Sequence, residues 1–428
     1  MTTGSQGRLR LRHTSTAYML AAAVAAAGLL AACGGSSSSG TPAASGGSSS
    51  AAPSAAPVSD EARKAAIKKG FMSDTIAYDS LNPVLQRSID KAATPLTDAQ
   101  WAKLQQCLKA TSCKTGNSGK LTVALANDGI NPWRQTWRAE FTAAAIQSPE
   151  VGKVVYSLGV EVPKWIANVK AHIAQKADII VINSVYGAAV LPAVQAAKAA
   201  GVTIIQVGTP MPDEVKSQLS GEADDDLCTP WQDTAKELIK QFPNGGTYGL
   251  YTGVPGNGSA AVWQPCLTKE LNAAGWRKTI EGFTQWTEQG MAQQGNALFA
   301  SGKNPDFVAY DYALESFAEP FIKAGKNPPI LATDALNTVF LKQVQDAKAK
   351  GIEMKAYIST ARDWYSRIGL EYALYLKDGR TIQPFTIPSG AATLDDLLAQ
   401  YDPNMPADAP VSHFFTAEQE KWILQAQA

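Results

Sequence analysis

Residues able to make or break bonds are scarce in this chain, and their spacings are poor. Only three His occur, at positions 13, 172 and 413, so chemistry built on imidazole begins with little material. Ser88-Ile89-Asp90-Lys91 and Lys114-Thr115-Gly116 have the S-x-x-K and K-T-G form of serine-nucleophile sites, but they sit only twenty-three residues apart with no globular domain between, and coincidence explains the match. Gly256-x-Gly258-x-x-Ala261 has the form of a dinucleotide fingerprint, with Glu281 twenty-three residues past Gly258. A ligand loop is the better reading, because the chain also carries export features. A Ser–His–Asp hydrolase would need His172 or His413, and His172 falls inside an amphipathic stretch where a structural role is ordinary. The acidic run Glu222 to Asp226 lacks the glycine-centred spacing of calcium loops. No catalytic residue, metal site or cofactor is assigned.

A second set of residues suits recognition rather than reaction. Asn131, Trp133, Thr209, Asn257, Trp286, Asp311, Tyr312, Asp334, Asp363 and Trp364 interleave aromatic rings with short polar groups. Such a lining stacks on an apolar ring face and hydrogen-bonds the hydroxyls around it. For each there is a plainer alternative. Trp133 and Trp364 could pack at loop–core junctions, Trp286 and Tyr312 could point inward, and Asp311 and Asp334 could cap the helices that follow.

These residues share one property, their place at the ends of apolar runs. The runs are 121–126, 151–158, 178–183, 202–207, 247–252, 279–283, 307–311, 330–333 and 354–359. Amphipathic, helix-like stretches lie between most of them, from 133–146 to 339–350. Alternation of this kind, with continuously apolar strands, predicts parallel sheets covered on both faces. Nine strands divide more naturally into two sheets, with the break in the Pro- and Asp-containing connection 208–231. Ligands of such sheets bind beyond the carboxyl ends of the strands, where the ten residues sit.

The termini add further elements. Residues 60–118 read as a helical preface, with Thr97-Asp98-Ala99-Gln100 as a capping box and Trp101, Leu104 and Leu108 on one helix face. It is expected to pack on the main body. At the start, Arg8, Arg10 and Arg12 precede an apolar run from Ala17 to Ala32. Sixteen helical residues rise only ~24 Å, short of a ~30 Å hydrocarbon core, so residues 1–32 predict an export signal rather than a span. Residues 33–59 are almost wholly Gly, Ser, Ala, Pro and Thr, too poor in apolar surface to order themselves, and predict a tether. Leu30-Ala31-Ala32-Cys33 closing the run resembles the lipobox of bacterial lipoproteins. That resemblance implies cleavage before Cys33 and lipid on its thiol.

Cys107, Cys113, Cys228 and Cys266 remain, and an exported chain meets oxidising conditions that favour two disulfides. Three pairings are open. Cys107–Cys113 with Cys228–Cys266 is favoured, the first being local and the second lying within one predicted lobe or at its entry. A four-Cys zinc site has no C-x-x-C pair to support it. With 428 residues, 45% hydrophobic, and 38 basic against 38 acidic side chains, the chain is globular and lacks the basic excess of a nucleic-acid binder.

Segments of this sequence resemble type I periplasmic sugar-binding proteins of the ribose-binding kind. They are Leu121–Glu140, Ala174–Asn183, Ala193–Val207, Gly253–Ala261, Pro305–Asp311 and Asp334, and together the likeness spans roughly Lys120 to Gly379. The resemblance implies two Rossmann-like lobes of parallel sheet joined by a hinge, closing on a sugar-like solute that is handed to the permease subunits of an ABC importer. Lobe boundaries follow as 119–230 and 231–356, with 357–383 returning to the first lobe and 384–428 as a C-terminal segment. The chain departs from that family where Gly208-Thr209 replaces an Asp-Arg pair, and where the Arg expected after the Gly-Ser-Ala loop falls on Val262 or Trp263. Those departures remove charged hydrogen bonds, so pentose specificity does not carry over. The expectation is a lipid-anchored, extracytoplasmic, monomeric solute-binding protein. A receptor for a membrane sensor kinase or chemoreceptor is the alternative, and an exported enzyme a remoter one.

Overall fold

The computed structural model describes residues 57–358, 362–388 and 392–427. Cys33, the export segment 1–32 and the tether up to residue 56 lie outside the described residues. Within the described residues, no helix is long and apolar enough to cross a membrane.

Among the described residues, twelve strands build two sheets. The first contains β1 (Ser112–Lys114), β2 (Leu121–Asn127), β3 (Val151–Leu158), β4 (Ile179–Ile182), β5 (Thr203–Gly208), β6 (Gly221–Asp225) and β12 (Phe385–Ile387). Its order is β1-β3-β2-β4-β5-β6-β12, parallel throughout except where β1 runs antiparallel to β3. The second contains β7 (Thr247–Thr252), β8 (Arg277–Phe283), β9 (Phe307–Tyr310), β10 (Ile330–Thr333) and β11 (Ala356–Ile358), all parallel in the order β11-β10-β9-β7-β8. All nine anticipated strands are present. Ile179–Ile182 and Phe307–Tyr310 are buried at every position because helices cover both faces, so both faces of each strand had to be apolar.

Three strands were not anticipated. β6 lies inside the connection expected to separate the lobes, and most of the acidic run falls on it rather than on a loop. Its Glu222 accepts from the backbone N–H of Met211 at 2.8 Å and pairs with Lys216 at 3.1 Å. Among the described residues, no group of three His, Cys, Asp or Glu side chains could hold a metal ion. β1 shows that the preface is not purely helical, and β12 places part of the C-terminal segment in the first sheet.

The preface packs onto the first lobe. Its helices Asp60–Phe71 and Pro83–Ala92 contribute Ile67, Phe71, Val84, Leu85 and Ile89 to the core that holds Val123, Val181, Ile205 and the helix Tyr365–Lys377. The capping box at Thr97 forms as anticipated, and Trp101 meets Trp422 edge-on at 5.7 Å. The serine-nucleophile look-alike is structural, with Ser88 donating to Val84 O at 2.8 Å and Lys91 held by Glu371.

The chain passes between the lobes four times: after β6, after β11, after β12, and near Val411. Leu227 joins the core under β7, and Ala392 bridges Ile358 of β11. The C-terminal segment then lies along the second lobe, where Thr338 N–H donates to Ala409 O at 2.8 Å and Val411 N–H to Leu336 O at 3.0 Å. It returns to the first lobe through Phe414, whose N–H donates to Glu140 at 2.6 Å, and ends in the helix Ala417–Ala426. Disulfides join Cys107 to Cys113 and Cys228 to Cys266, the favoured pairing.

Candidate ligand cleft

The carboxyl ends of β2, β4, β5 and β6 face those of β7, β9 and β10 across a cleft with about 770 Å³ of atom-free space, its open mouth included.

The first-lobe wall begins where β2 ends. Asn131 caps the helix Pro132–Ile146, its side chain accepting from Arg134 N–H at 2.9 Å, and Pro132 starts the helix with a preset φ. The first turn therefore presents Trp133, Arg134 and Trp137 to the cleft. Trp133 stacks on Trp137 at 4.8 Å, and the Arg134 guanidinium lies 4.8 Å from the centre of the Trp133 ring. Arg134 is fixed by Asp128 at 2.5 Å and by Asn183 Oδ1 at 3.0 Å. Asn183 in turn donates to Val207 O at 2.6 Å. Gly208 has φ +92°, and a Cβ there would come within 2.3 Å of the Asn183 amide, so only glycine lets β5 end beside this network. Burial drives the Asp128 carboxyl upward while Arg134 draws it back down.

The second-lobe wall centres on Asp311, just past β9. It accepts from the Thr252 hydroxyl, from Asn257 Nδ2 at 2.9 Å and from Trp286 Nε1 at 3.0 Å. Burial lifts it to about 6 against the pull of those donors. Trp286 and its neighbour Gln285 both have left-handed backbones, φ 49° and 57°, an uncommon state for non-glycine residues. The ring lies flat against Gly253, where a Cβ would meet it at 1.9 Å. A strained turn and a bare glycine together aim the indole at Asp311. Asn257 also caps the helix Gly258–Ala273, and Gly258 N–H crosses to Val185 O of the opposite lobe at 2.9 Å. The glycine pair of the dinucleotide look-alike thus serves a helix start and an interlobe contact.

The floor is formed by Asp225, Asp334, Arg362 and Tyr365. Asp334 is 3% exposed, and its Oδ1 has no hydrogen-bond partner among the described residues. Burial, with Asp311 and Asp225 nearby, pushes its carboxyl well up. Arg362 is 2% exposed and donates from Nη1 to Asp334 O at 3.4 Å, while Nε and Nη2 have no partner among the described residues. The hydroxyls of Tyr312 and Tyr365 and the Trp133 indole N–H are likewise buried without partners there.

Eight of the ten anticipated residues line the cleft: Asn131, Trp133, Thr209, Asn257, Trp286, Asp311, Tyr312 and Asp334. Asp311 and Asp334 do not cap helices. Two expectations are corrected. Trp364 is fully buried, donates to Gly70 O at 2.7 Å and meets Phe71 edge-on at 5.2 Å, so it belongs to the core beside the preface. Asp363 is also fully buried and accepts from Ser412 at 3.2 Å. Their neighbours Arg362 and Tyr365 face the cleft instead. The charged forks expected to be lost from two loops are matched by guanidinium groups at other positions, Arg134 and Arg362. Sequence reasoning missed Asp128, Arg134, Trp137 and Asn183; the first-turn position of Arg134 after a capping Asn was the available signal. His172 is buried with Nε2 2.7 Å from Ser157 Oγ, and His413 is buried behind the hinge, so neither reaches the cleft.

A two-lobed parallel α/β protein with a polar, tryptophan-lined cleft between carboxyl strand ends defines the binding-protein class of fold. Residues 122–361 match the periplasmic binding protein domain family, and the chain belongs to it. Among solved structures, an ABC transporter solute-binding protein from Thermobispora bispora is similar at 22% identity and TM-score 0.58, over 71% of this chain and 94% of that one. The arabinose ABC transporter component from Shewanella sp. ANA-3, bound to L-arabinofuranose, is similar at 15% identity and TM-score 0.57, over 65% and 94%. A Mycobacterium smegmatis protein in complex with β-D-fucofuranose follows at 16% and 0.55, over 66% and 93%. At these identities the likeness is one of fold. No curated protein matches the chain.

Proposed function

We propose that this protein is the extracytoplasmic solute receptor of an ABC importer, held to the membrane through lipid on Cys33, and that it captures a sugar or sugar-like polyol without transforming it. The observation that carries this reading is the set of buried, unpartnered polar atoms converging on one cleft: Asp334 Oδ1, Arg362 Nε and Nη2, and the Tyr312 and Tyr365 hydroxyls. Buried polar groups are ordinarily hydrogen-bonded, and each orphan costs about 1–3 kcal/mol, so the set is complementary to a solute carrying several hydroxyls. Trp286 supplies a flat apolar face for the C–H face of a ring, and Trp133, stacked on Trp137 and beneath Arg134, adds apolar surface from the opposite lobe. The relatives bound to arabinofuranose and fucofuranose support the same class of solute.

Capture works by differential contact. Trp133, Arg134 and Thr209 reach the solute from one lobe and Trp286, Asn257 and Tyr312 from the other, so a bound solute favours the closed arrangement. The permease subunits then read the closed form. The test is thermal unfolding of the chain against pentoses, hexoses, polyols, amino acids and nucleosides. A true ligand at 100 times its dissociation constant adds about 2.7 kcal/mol of stability, a rise of several degrees, with the solute recovered unchanged. A rise with amino acids alone, or consumption of the solute, would overturn the assignment.

A further inference from the structure

The charge balance of the cleft narrows the solute further; this inference rests on the solute-receptor reading. Four carboxylates line the cleft, Asp128, Asp225, Asp311 and Asp334, against two guanidinium groups and no lysine. Arg134 is engaged by Asp128 at 2.5 Å. Arg362 lies in the fields of Asp225, Asp334 and Asp363 together. Asp128 takes one cation, and Arg362 is shared among the acids around it, Asp334 included, so two guanidinium groups leave the four acids of the lining with an excess of negative charge about Asp311 and Asp334.

These two acids differ. Three donors hold Asp311 as a carboxylate, Thr252, Asn257 and Trp286. Asp334 has no such support, being almost wholly buried with Oδ1 facing the cleft unpartnered. A buried carboxylate beside like charges needs a cation or a proton. A neutral hydroxyl offers one hydrogen bond and no charge. An anionic solute would add a third uncompensated negative group, and Arg362 cannot answer it because three acids already surround that side chain. We propose that the solute carries a basic nitrogen, as an amino sugar or aminopolyol, whose ammonium donates to Asp334 Oδ1 within reach of the Asp311 field. The free Nε and Nη2 edge of Arg362 then takes neutral oxygens of the same solute.

Calorimetric titration of the full chain tests this with three matched series: glucose, glucosamine and glucuronate, and the corresponding galactose and mannose sets. The expected result, in any series that binds, is an amine about 10- to 100-fold tighter than its neutral parent and an acid weaker than both. Asp334→Asn should erase most of the amine preference, read within the variant as the ratio of amine affinity to that of its neutral parent, since the amide still hydrogen-bonds hydroxyls but no longer answers a charge. A neutral sugar that binds as tightly as its amine overturns the inference and leaves the receptor reading standing. An amine preference that survives Asp334→Asn overturns the placement at Asp334. If none of the nine compounds binds, the inference and the sugar-like assignment fall together.

Discussion

Replacing Arg134 by Met should cost far more stability than losing an ordinary surface charge. The guanidinium holds Asp128 at 2.5 Å and Asn183 Oδ1 at 3.0 Å, and rests on Trp133. Side-chain exposures of 8% and 2% make Arg134–Asp128 a buried pair. Without Arg134, Asp128 keeps the hydrogen bond from Val185 N–H at 2.9 Å and is otherwise enclosed by protein. Breaking one side of a buried pair leaves an uncompensated charge and typically costs about 3–5 kcal/mol. Removing both sides, as in Asp128→Asn with Arg134→Met, leaves no buried charge and should lie within about 1–2 kcal/mol of the parent. Burial alone then governs Asp128 in the single variant and its carboxyl rises further, so the deficit should shrink as the pH is lowered and the acid takes a proton. Urea unfolding without added solute, at pH 7.5 and pH 5, reads all three quantities. A single-variant cost below about 1 kcal/mol, or a double variant as unstable as the single, would refute the claim that this pair acts as a buried unit.

Other perturbations have equally definite outcomes. Burial lifts Glu420 to about 8 from an unfolded value near 4.5, so the folded protein keeps a proton that the unfolded chain releases. Stability from that proton is complete below the unfolded value and is lost as pH rises through 8, at a slope of up to ~1.4 kcal/mol per pH unit between about pH 5.5 and 7 that fades near pH 8; Glu420→Gln should flatten that part of the urea-midpoint profile. Gly253→Ala would drive a methyl into the Trp286 ring, break its bond to Asp311 and lower solute affinity at least about tenfold, with a change in tryptophan fluorescence that an intact site would not give. Cys228→Ser with Cys266→Ser removes a crosslink spanning 38 residues beside the first interlobe passage and should lower stability by about 2–5 kcal/mol, matched by reduction of the parent. Cys33→Ala should move the protein from the membrane fraction to the soluble one, and retention at the membrane would defeat the lipid-anchor proposal.

The two sheets were legible because parallel strands covered on both faces must be apolar throughout, as Ile179-Ile180-Val181-Ile182 is. β6 escaped for the opposite reason. Gly221-Glu222-Ala223-Asp224-Asp225 reads as a loop, and only Lys216 and the Met211 N–H, brought in by the fold, make its acids tolerable there. In the cleft, residues at strand ends were legible because the sheet dictates where a strand ends. The segment after β11 has no such rule. Whether Arg362 or Trp364 faces the cleft depends on Gly70 and Phe71, which arrive from nearly three hundred residues earlier to cover the indole. Arg134 was hidden by its helix, since a basic residue in a first turn ordinarily reads as solvated surface; the acid that buries it is Asp128, in the loop just before.

The number of passages between the lobes also sets what kind of motion the molecule can make. Two strips of chain side by side can be wrung like a ribbon, so the plates they connect may swivel as well as fold. Here the described passages after β6 and near Val411 are joined by the end of the first helix, with Phe71 in the core of one lobe and the adjacent Met72 in that of the other. A helix end held in both cores adds a tie that resists torsion between the lobes more than two strips alone would. On the proposed receptor reading, each closed molecule would show an outside observer the same outline, and a membrane partner would tell full from open by silhouette alone, without touching the cargo.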